Sequence, residues 1–291
     1  MNTAILQSNN KPLKQRKIIV AGKARLIFNA DAEGVTRLRD LYQSDPQRIL
    51  FPNIPDKDIT QAVVVNTAGG LVGGDKISVE VTVEKKANAL VTTQSAEKVY
   101  RSAGTDSKIE INLIVEAGSW LEYIPQETIL FEGSRLRRQT HVNVERDGKL
   151  IAGEIVVFGR LGYGEHFQTG LIHDGWEIIR DGKLVWVDAL HMQDDIASII
   201  ADPACFDGAV SMATTVYIGP DAEDNLPVVQ KFLESLNSGV LSSVTCVNEI
   251  LIIRWLSKDI LDLRNDFCAF WGAFRNKIAG LPAKLPRLWN M

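Results

Sequence analysis

The stretch KISVEVTVE, residues 76–84, sets Ile77, Val79, Val81 and Val83 at alternate positions against Ser78, Glu80, Thr82 and Glu84. Period two marks a strand with one buried face, because successive side chains leave an extended backbone on opposite sides. Working outward, KIEINLIVE at 108–116 repeats the pattern through Ile109, Ile111, Leu113 and Val115. Val142 and Val144 continue it before Asp147-Gly148, and the signal dominates from about Ala62 to Val216. Further Asp-Gly pairs at 174–175, 181–182 and 207–208 read as turns, since glycine tolerates the positive φ that tight turns impose. The expected fold is mainly β, with stacked antiparallel or coiling sheets in one large domain. No fixed-length repeat is visible, so the sequence does not announce a regular solenoid.

The last quarter changes period. Between Asn225 and Leu236, with Pro227 in the first turn, Val229, Phe232, Leu233 and Leu236 share one helical face. Val244 to Trp255 reads as a strand. Ile260, Leu263, Phe267, Phe270, Trp271, Phe274 and Ile278 then trace a longer apolar stripe, with Asp259 near its start and Gly280 beyond its end. Two helices are therefore expected in the C-terminal quarter, with Trp255 and Trp271 in the core. The prolines of LPAKLPRLWNM stop helix continuation and leave an extended tail. Residues 1–20 read as a flexible N-terminal segment and 21–291 as one β-rich domain.

The 291 residues carry a net charge of -4 with 45% hydrophobic and 23% charged residues, enough apolar material for a large core and no basic excess for nucleic acid. Three cysteines, Cys205, Cys246 and Cys268, are too few and too far apart for a disulfide framework or a CxxC knuckle. No signal-peptide core follows the N-terminal lysines, and no apolar run approaches the roughly 18–20 residues needed to span a bilayer. The expectation is a soluble, cytoplasmic protein with no nucleic-acid or membrane partner.

Candidate chemistry is sparse. The glycines of GGLVGGD, 69–75, follow an apolar strand but lack Gly-Lys-Ser/Thr, and an alternating strand follows where a phosphate loop would open a helix. A strand-to-strand turn is the better reading. His141, His166, His173 and His191 show no chelating spacing, and neighbours on a strand, as in His173-Asp174, point to opposite faces. No catalytic residue or cofactor-binding motif is identified, which points away from an enzyme. The carboxylates say more: Glu127 in YIPQETILF, Glu154 in LIAGEIVVFG, and Asp75 and Glu97 beside strand-like segments. Unpaired burial of a carboxylate costs several kcal/mol, so each turns outward, pairs, or lines a wet passage. Arg135, Arg137, Gln139, His141, Asn143 and Glu145 alternate along one polar strand face, either solvated or offered to an acidic partner.

VVNTAGGLVGGD (64–75), VTTQSAEKVYRS (91–102), GSWLEYIPQETILFEGSRL (118–136), GEIVVFGRLGYGE (153–165) and FWGAFRNKIAGLPAKLPRLW (270–289) together resemble, in order and spacing, the urease accessory protein UreD (UreH) family. The resemblance runs from about Ala24 to Trp289. It implies a non-catalytic urease maturation factor that works with UreF and the GTPase UreG to deliver nickel into apo-urease, with UreF, UreG and the urease apoprotein as partners. It also implies a mainly β fold with C-terminal helices, no stably bound cofactor, and nickel only in transit through a water-filled route. By the burial argument Asp75, Glu97, Glu127 and Glu154 are the candidates to line such a route, and oxygen ligands alone would hold nickel loosely. Leu285, Leu288 and Trp289 of the tail are partner-binding candidates, against packing on the protein's own sheet. The alternative function is a β-rich carbohydrate-active enzyme using two carboxylates across a glycosidic bond.

Overall fold

The structure, a computed structural model, describes residues 20–54 and 58–290. All but the last residue of the expected flexible segment 1–20 lies outside the described residues. The chain opens with β1 (Ala21–Ala30) and β2 (Thr36–Ser44), then crosses to β3 (Gln47–Leu50) and β4 (Thr60–Asn66). From there it coils. β5 (Lys76–Val83) lies in one sheet and β6 (Asn88–Thr93) with short β7 (Glu97–Val99) in the other. β8 (Ser107–Val115), then β9 (Trp120–Ile124) and β10 (Thr128–Leu130), make the next turn. β11 (Arg135–Val144), β12 (Lys149–Phe158) and β13 (Leu171–Arg180) follow in the same alternation. A hairpin to β14 (Lys183–Gln193) ends the coil. Helix α1 (Ile196–Ala201), β15 (Ser211–Ile218), α2 (Ala222–Ser235), β16 (Leu241–Val247), β17 (Ile250–Ser257) and α3 (Ile260–Ala279) complete the chain.

Among the described residues this gives a seven-stranded sheet, β14-β13-β11-β8-β5-β1-β2, and a ten-stranded one, β16-β17-β15-β12-β9-β6-β4-β3, with β7 and β10 pairing alongside β12. The coil strands pair in parallel and the outer strands antiparallel, so the expected stacked, coiling β fold is the observed one. The registered positions Lys76, Lys108, Arg137 and His173 are separated by 32, 29 and 36 residues. The coil is real but its turns are unequal, which is why no repeat shows in the sequence.

Two apolar layers hold this architecture. Alternation in β5 and β8 sends Ile77, Val79, Val81, Ile109, Ile111 and Leu113 inward against Leu150, Ala152 and Val156 of β12. The opposite face of the ten-stranded sheet is also covered: Leu90, Ile155 and Trp255 pack beneath Phe267, Phe270, Trp271 and Phe274 of α3. Strands buried on both faces lose their alternation, as in β12 and β15. Asp259 caps α3 by accepting the N–H groups of Leu261 and Asp262, and Gly280 ends it at φ +64. Among the described residues no helix is long and apolar enough to cross a membrane.

Several local expectations are corrected. Asp174-Gly175 is not a turn but lies inside β13. Asp147-Gly148 joins strands of opposite sheets and is a corner of the coil, whereas Asp181-Gly182 does make a hairpin. The single strand read over 244–255 is a hairpin, turned at Asn248 and Glu249 with φ of 50° and 61° and no glycine to signal it. Helix α2 begins at Ala222, so Pro227 sits inside it, and the short helix α1 has no forerunner in the sequence reading.

Candidate functional site: a polar cavity between the sheets

The glycine-rich loop between β4 and β5 closes one end of the inter-sheet space. Asp75, buried at 3% exposure, ties the loop down by accepting the N–H of Val72 at 2.9 Å and that of Val20 at 3.1 Å. Gly70, at φ +145, lies so close to its neighbours that a Cβ would fall 2.5 Å from the Tyr100 ring and 2.6 Å from the Lys98 carbonyl oxygen. This is the strand-to-strand turn expected of the cluster. Beneath it is a cavity of about 120 Å³, with Gly69, Asn66, Glu97, Gln126, Thr128 and Arg138 in its wall.

Glu97 faces this cavity from β7, where its backbone N–H donates to the Glu127 carbonyl. Both carboxyl oxygens accept from Asn66 Nδ2, at 3.0 and 3.1 Å. Burial pushes its pKa up to about 7, the Asn66 bond pulls the other way, and the nearby Asp75 charge adds to the rise. Glu97 therefore exchanges its proton near neutrality, and a cation entering the cavity would compete with that proton.

Arg138 forms the inner wall. It occupies an inward position of β11, directly opposite Asp174 in the β11–β13 register, and only 3% of it is exposed. Its Nε donates to Asp174 Oδ1 at 2.8 Å, Nη1 to Thr128 Oγ1 at 3.0 Å, and Nη2 meets both Asp174 and Glu154 Oε2, the latter at 2.6 Å. Trp176 Nε1 donates to the other Glu154 oxygen at 3.0 Å. Burial opposes the guanidinium's charge, but the two carboxylates more than offset it. One guanidinium cannot neutralise two carboxylates, and burial together with the Asp174 charge raises Glu154 to about 8.

The four carboxylates proposed from sequence thus take different places. Asp75 secures the loop, Glu97 faces the cavity, and Glu154 stands one guanidinium behind its wall. Glu127 turns to the helical side and pairs with Arg264 of α3. Gln126 links the two regions: it lines the cavity while its Oε1 accepts from Arg264 at 2.9 Å and its Nε2 donates to the Leu288 carbonyl at 3.1 Å. In the tail, Trp289 is buried, stacks on Phe267 at 5.8 Å, carries Arg264 over its ring at 4.6 Å and donates to Thr92 Oγ1 at 3.1 Å. Leu285 and Leu288 are half-buried.

Arg138, Asp174, Asn66 and Gln126 went unremarked as site residues in the sequence. Arg138 carried one signal, a charge at an inward position of an alternating strand. Asp174 becomes its partner only through a register between strands 36 residues apart. Also missed was the cluster on the sheet's other face, where Glu122 accepts from Trp120 Nε1 at 3.0 Å, Trp271 Nε1 at 2.7 Å and Arg275 Nε at 3.0 Å. Arg275 further donates to Asp58 at 2.6 Å and to the carbonyls of Pro282 and Lys284, pinning the tail.

The alternating polar face of β11 is outward, as expected, with His141 set 3.1 Å from Glu177 of β13. Among the described residues no three His, Cys, Asp or Glu side chains stand together to hold a metal ion.

Much of the cavity wall comes from the segments 64–75, 91–102 and 118–136, and β5, β8 and Arg138 of β11 add to it. A family model described as the UreD urease accessory protein matches residues 20–290. The chain belongs to the UreD family. Among its curated relatives, the urease accessory protein UreD of Magnetococcus marinus is 41% identical over 275 residues, covering 94% of each chain. That of Azorhizobium caulinodans is 37% identical over 280 residues, covering 96% of this chain and 98% of its own. That of Xanthobacter autotrophicus is 36% identical over 286 residues, covering 98% and 94%. As a UreD family member the protein has an accessory role in urease maturation, and the matched span takes in both sheets, all three helices and the cavity between the sheets.

Proposed function

We propose that this protein is a non-catalytic maturation factor that acts with UreF and the GTPase UreG to deliver nickel into apo-urease, both as scaffold and as conduit. The observation that carries the reading is the inter-sheet cavity, walled in large part by the family-bearing segments and faced by a carboxyl raised by burial to about 7. Amide, hydroxyl and carboxylate oxygens without thiolate suit a nickel ion that must leave again. Gln126 carries the polar lining onward to α3 and the tail. The carbohydrate-enzyme alternative needs two carboxyls facing one another across an open cleft. Glu154 and Asp174, beside this cavity, are instead clamped to one guanidinium at 7% and 4% exposure.

The test is co-purification with tagged UreF and UreG, followed by activation of apo-urease with nickel in vitro. The chain is expected to join the complex and support activation. Glu97→Gln is expected to leave the complex intact while lowering nickel incorporated per urease. Failure to associate would overturn the maturation reading, and full activation by Glu97→Gln would overturn the conduit.

A scaffold also leaves apolar surface uncovered when alone. Leu38, Leu41 and Tyr42 of β2 and Leu50, Phe51 and Ile54 at and beyond β3 are exposed along neighbouring edges of the two sheets. The isolated chain is expected to be recovered mainly in aggregates and to become soluble on co-expression with UreF. Equal solubility with and without UreF would contradict this.

A further inference from the structure

Outside the cavity, one pair of metal-ligating side chains is brought together by the fold alone. His173 of β13 and His191 of β14 are directly opposite in the antiparallel register, and both lie on the outer face of the seven-stranded sheet. Their rings are 5.5 Å apart between centroids, with planes at 62°. A d-block ion bound about 2.1 Å from one nitrogen of each ring lies about 3.2 Å from each centroid, which places the centroids about 5.2 Å apart at a tetrahedral angle. The observed separation is within a few tenths of an ångström of that value.

The surroundings leave room for such an ion. The next row on this face carries Gly175 opposite Ala189, so neither β13 nor β14 places a bulky side chain on that flank. Gln139 lays its amide over Gly175, close enough that a Cβ there would fall 2.3 Å from its Oε1. Arg137, next to His173 in the β11–β13 register, has its Nε turned onto Asp106 at 2.6 Å, a carboxylate it shares with Arg135 at 2.7 Å, so some positive charge stays beside the pair and weakens cation binding. The imidazoles are neighbours across the sheet but 18 positions apart in the chain, so no sequence spacing discloses them.

We propose that His173 and His191 form a two-imidazole surface site for a divalent d-block cation, with water completing the coordination. Imidazole suits nickel, copper and zinc, and two ligands without a third give exchangeable rather than permanent binding. The site is on the face of the seven-stranded sheet turned away from the cavity, and it stands independently of the nickel route proposed above.

The test is equilibrium dialysis of the full chain against Ni²⁺ and Zn²⁺ alone, with copper(II) electron paramagnetic resonance to count bound imidazole nitrogens. The parent is expected to hold one ion that His173→Ala and His191→Ala each weaken by about tenfold or more. The double variant is expected to be no worse than either single one, and the two-imidazole copper signature is expected to vanish in each. His141→Ala, on the same face, is expected to leave the ion in place. Binding unchanged in both His173→Ala and His191→Ala would overturn the proposal. Loss of the same ion in Glu97→Gln would also overturn it, by assigning that ion to the cavity.

Discussion

Two clusters of one guanidinium and two carboxyls lie on opposite faces of the ten-stranded sheet, and their surroundings give them different behaviour. Arg275, Glu122 and Asp58 sit between the sheet and α3, where two indole N–H groups and two backbone carbonyls saturate the remaining hydrogen-bonding positions. Arg138, Asp174 and Glu154 sit at the wall of a cavity, and a single guanidinium serves two carboxyls there. The first arrangement locks a helix and the C-terminal tail onto the sheet. The second puts its guanidinium in the wall of a space that water or a cation can enter. Burial raises a carboxyl in each, Glu122 and Glu154, so the same residue types differ in what they adjoin: a packed helix and tail in one place, a cavity in the other.

The contrast breaks most directly at Arg275. Arg275→Met leaves Glu122, fully buried, facing only indole donors, and is expected to cost about 3–5 kcal/mol in urea unfolding at pH 7. Arg138→Met is expected to cost less, about 1–3 kcal/mol, because Arg138 lines the cavity and water entering there can solvate the carboxyls left unpaired. Equal losses would erase the distinction between the packed fastener and the cavity wall.

A third test sharpens it on the pH axis. A carboxyl whose pKa rises on folding, as Glu97 does from 4.5 to about 7, binds more protons in the folded than in the unfolded state across that interval. Its contribution to stability therefore falls as pH climbs from about 4.5 to about 7, by at most about 3 kcal/mol at full ionisation. Glu97→Gln is expected to match the parent near pH 4.5 and to exceed it by about 3 kcal/mol at pH 8. Parallel stability profiles for the two proteins would show that Glu97 does not titrate in this range.

Legibility tracked the distance over which each feature is decided. The alternation of β5 and β8 and the apolar stripe of α3 are local, since side-chain direction repeats every two or 3.6 residues, and both were readable. The hairpin at Asn248-Glu249 was not, because only Asn248 favours a positive φ and no glycine follows it to complete the turn signal. Among the carboxylates, the sequence found Glu97 and Glu154 from the cost of burying a charge but could not separate them from Glu127, whose Arg264 partner lies 137 residues away.

The amino-acid order alone determined that this chain would be mainly β with two helices near its C-terminus, and its longer motifs carried the likeness to the UreD family. Both follow from patterns that a short window contains. Only the tertiary structure decided that the strands coil in parallel with unequal turns, that Arg138 meets Asp174, and that His173 faces His191. Those pairings depend on the register between strands. Register is set by how whole sheets bury their inward faces against each other, and no segment carries that information by itself.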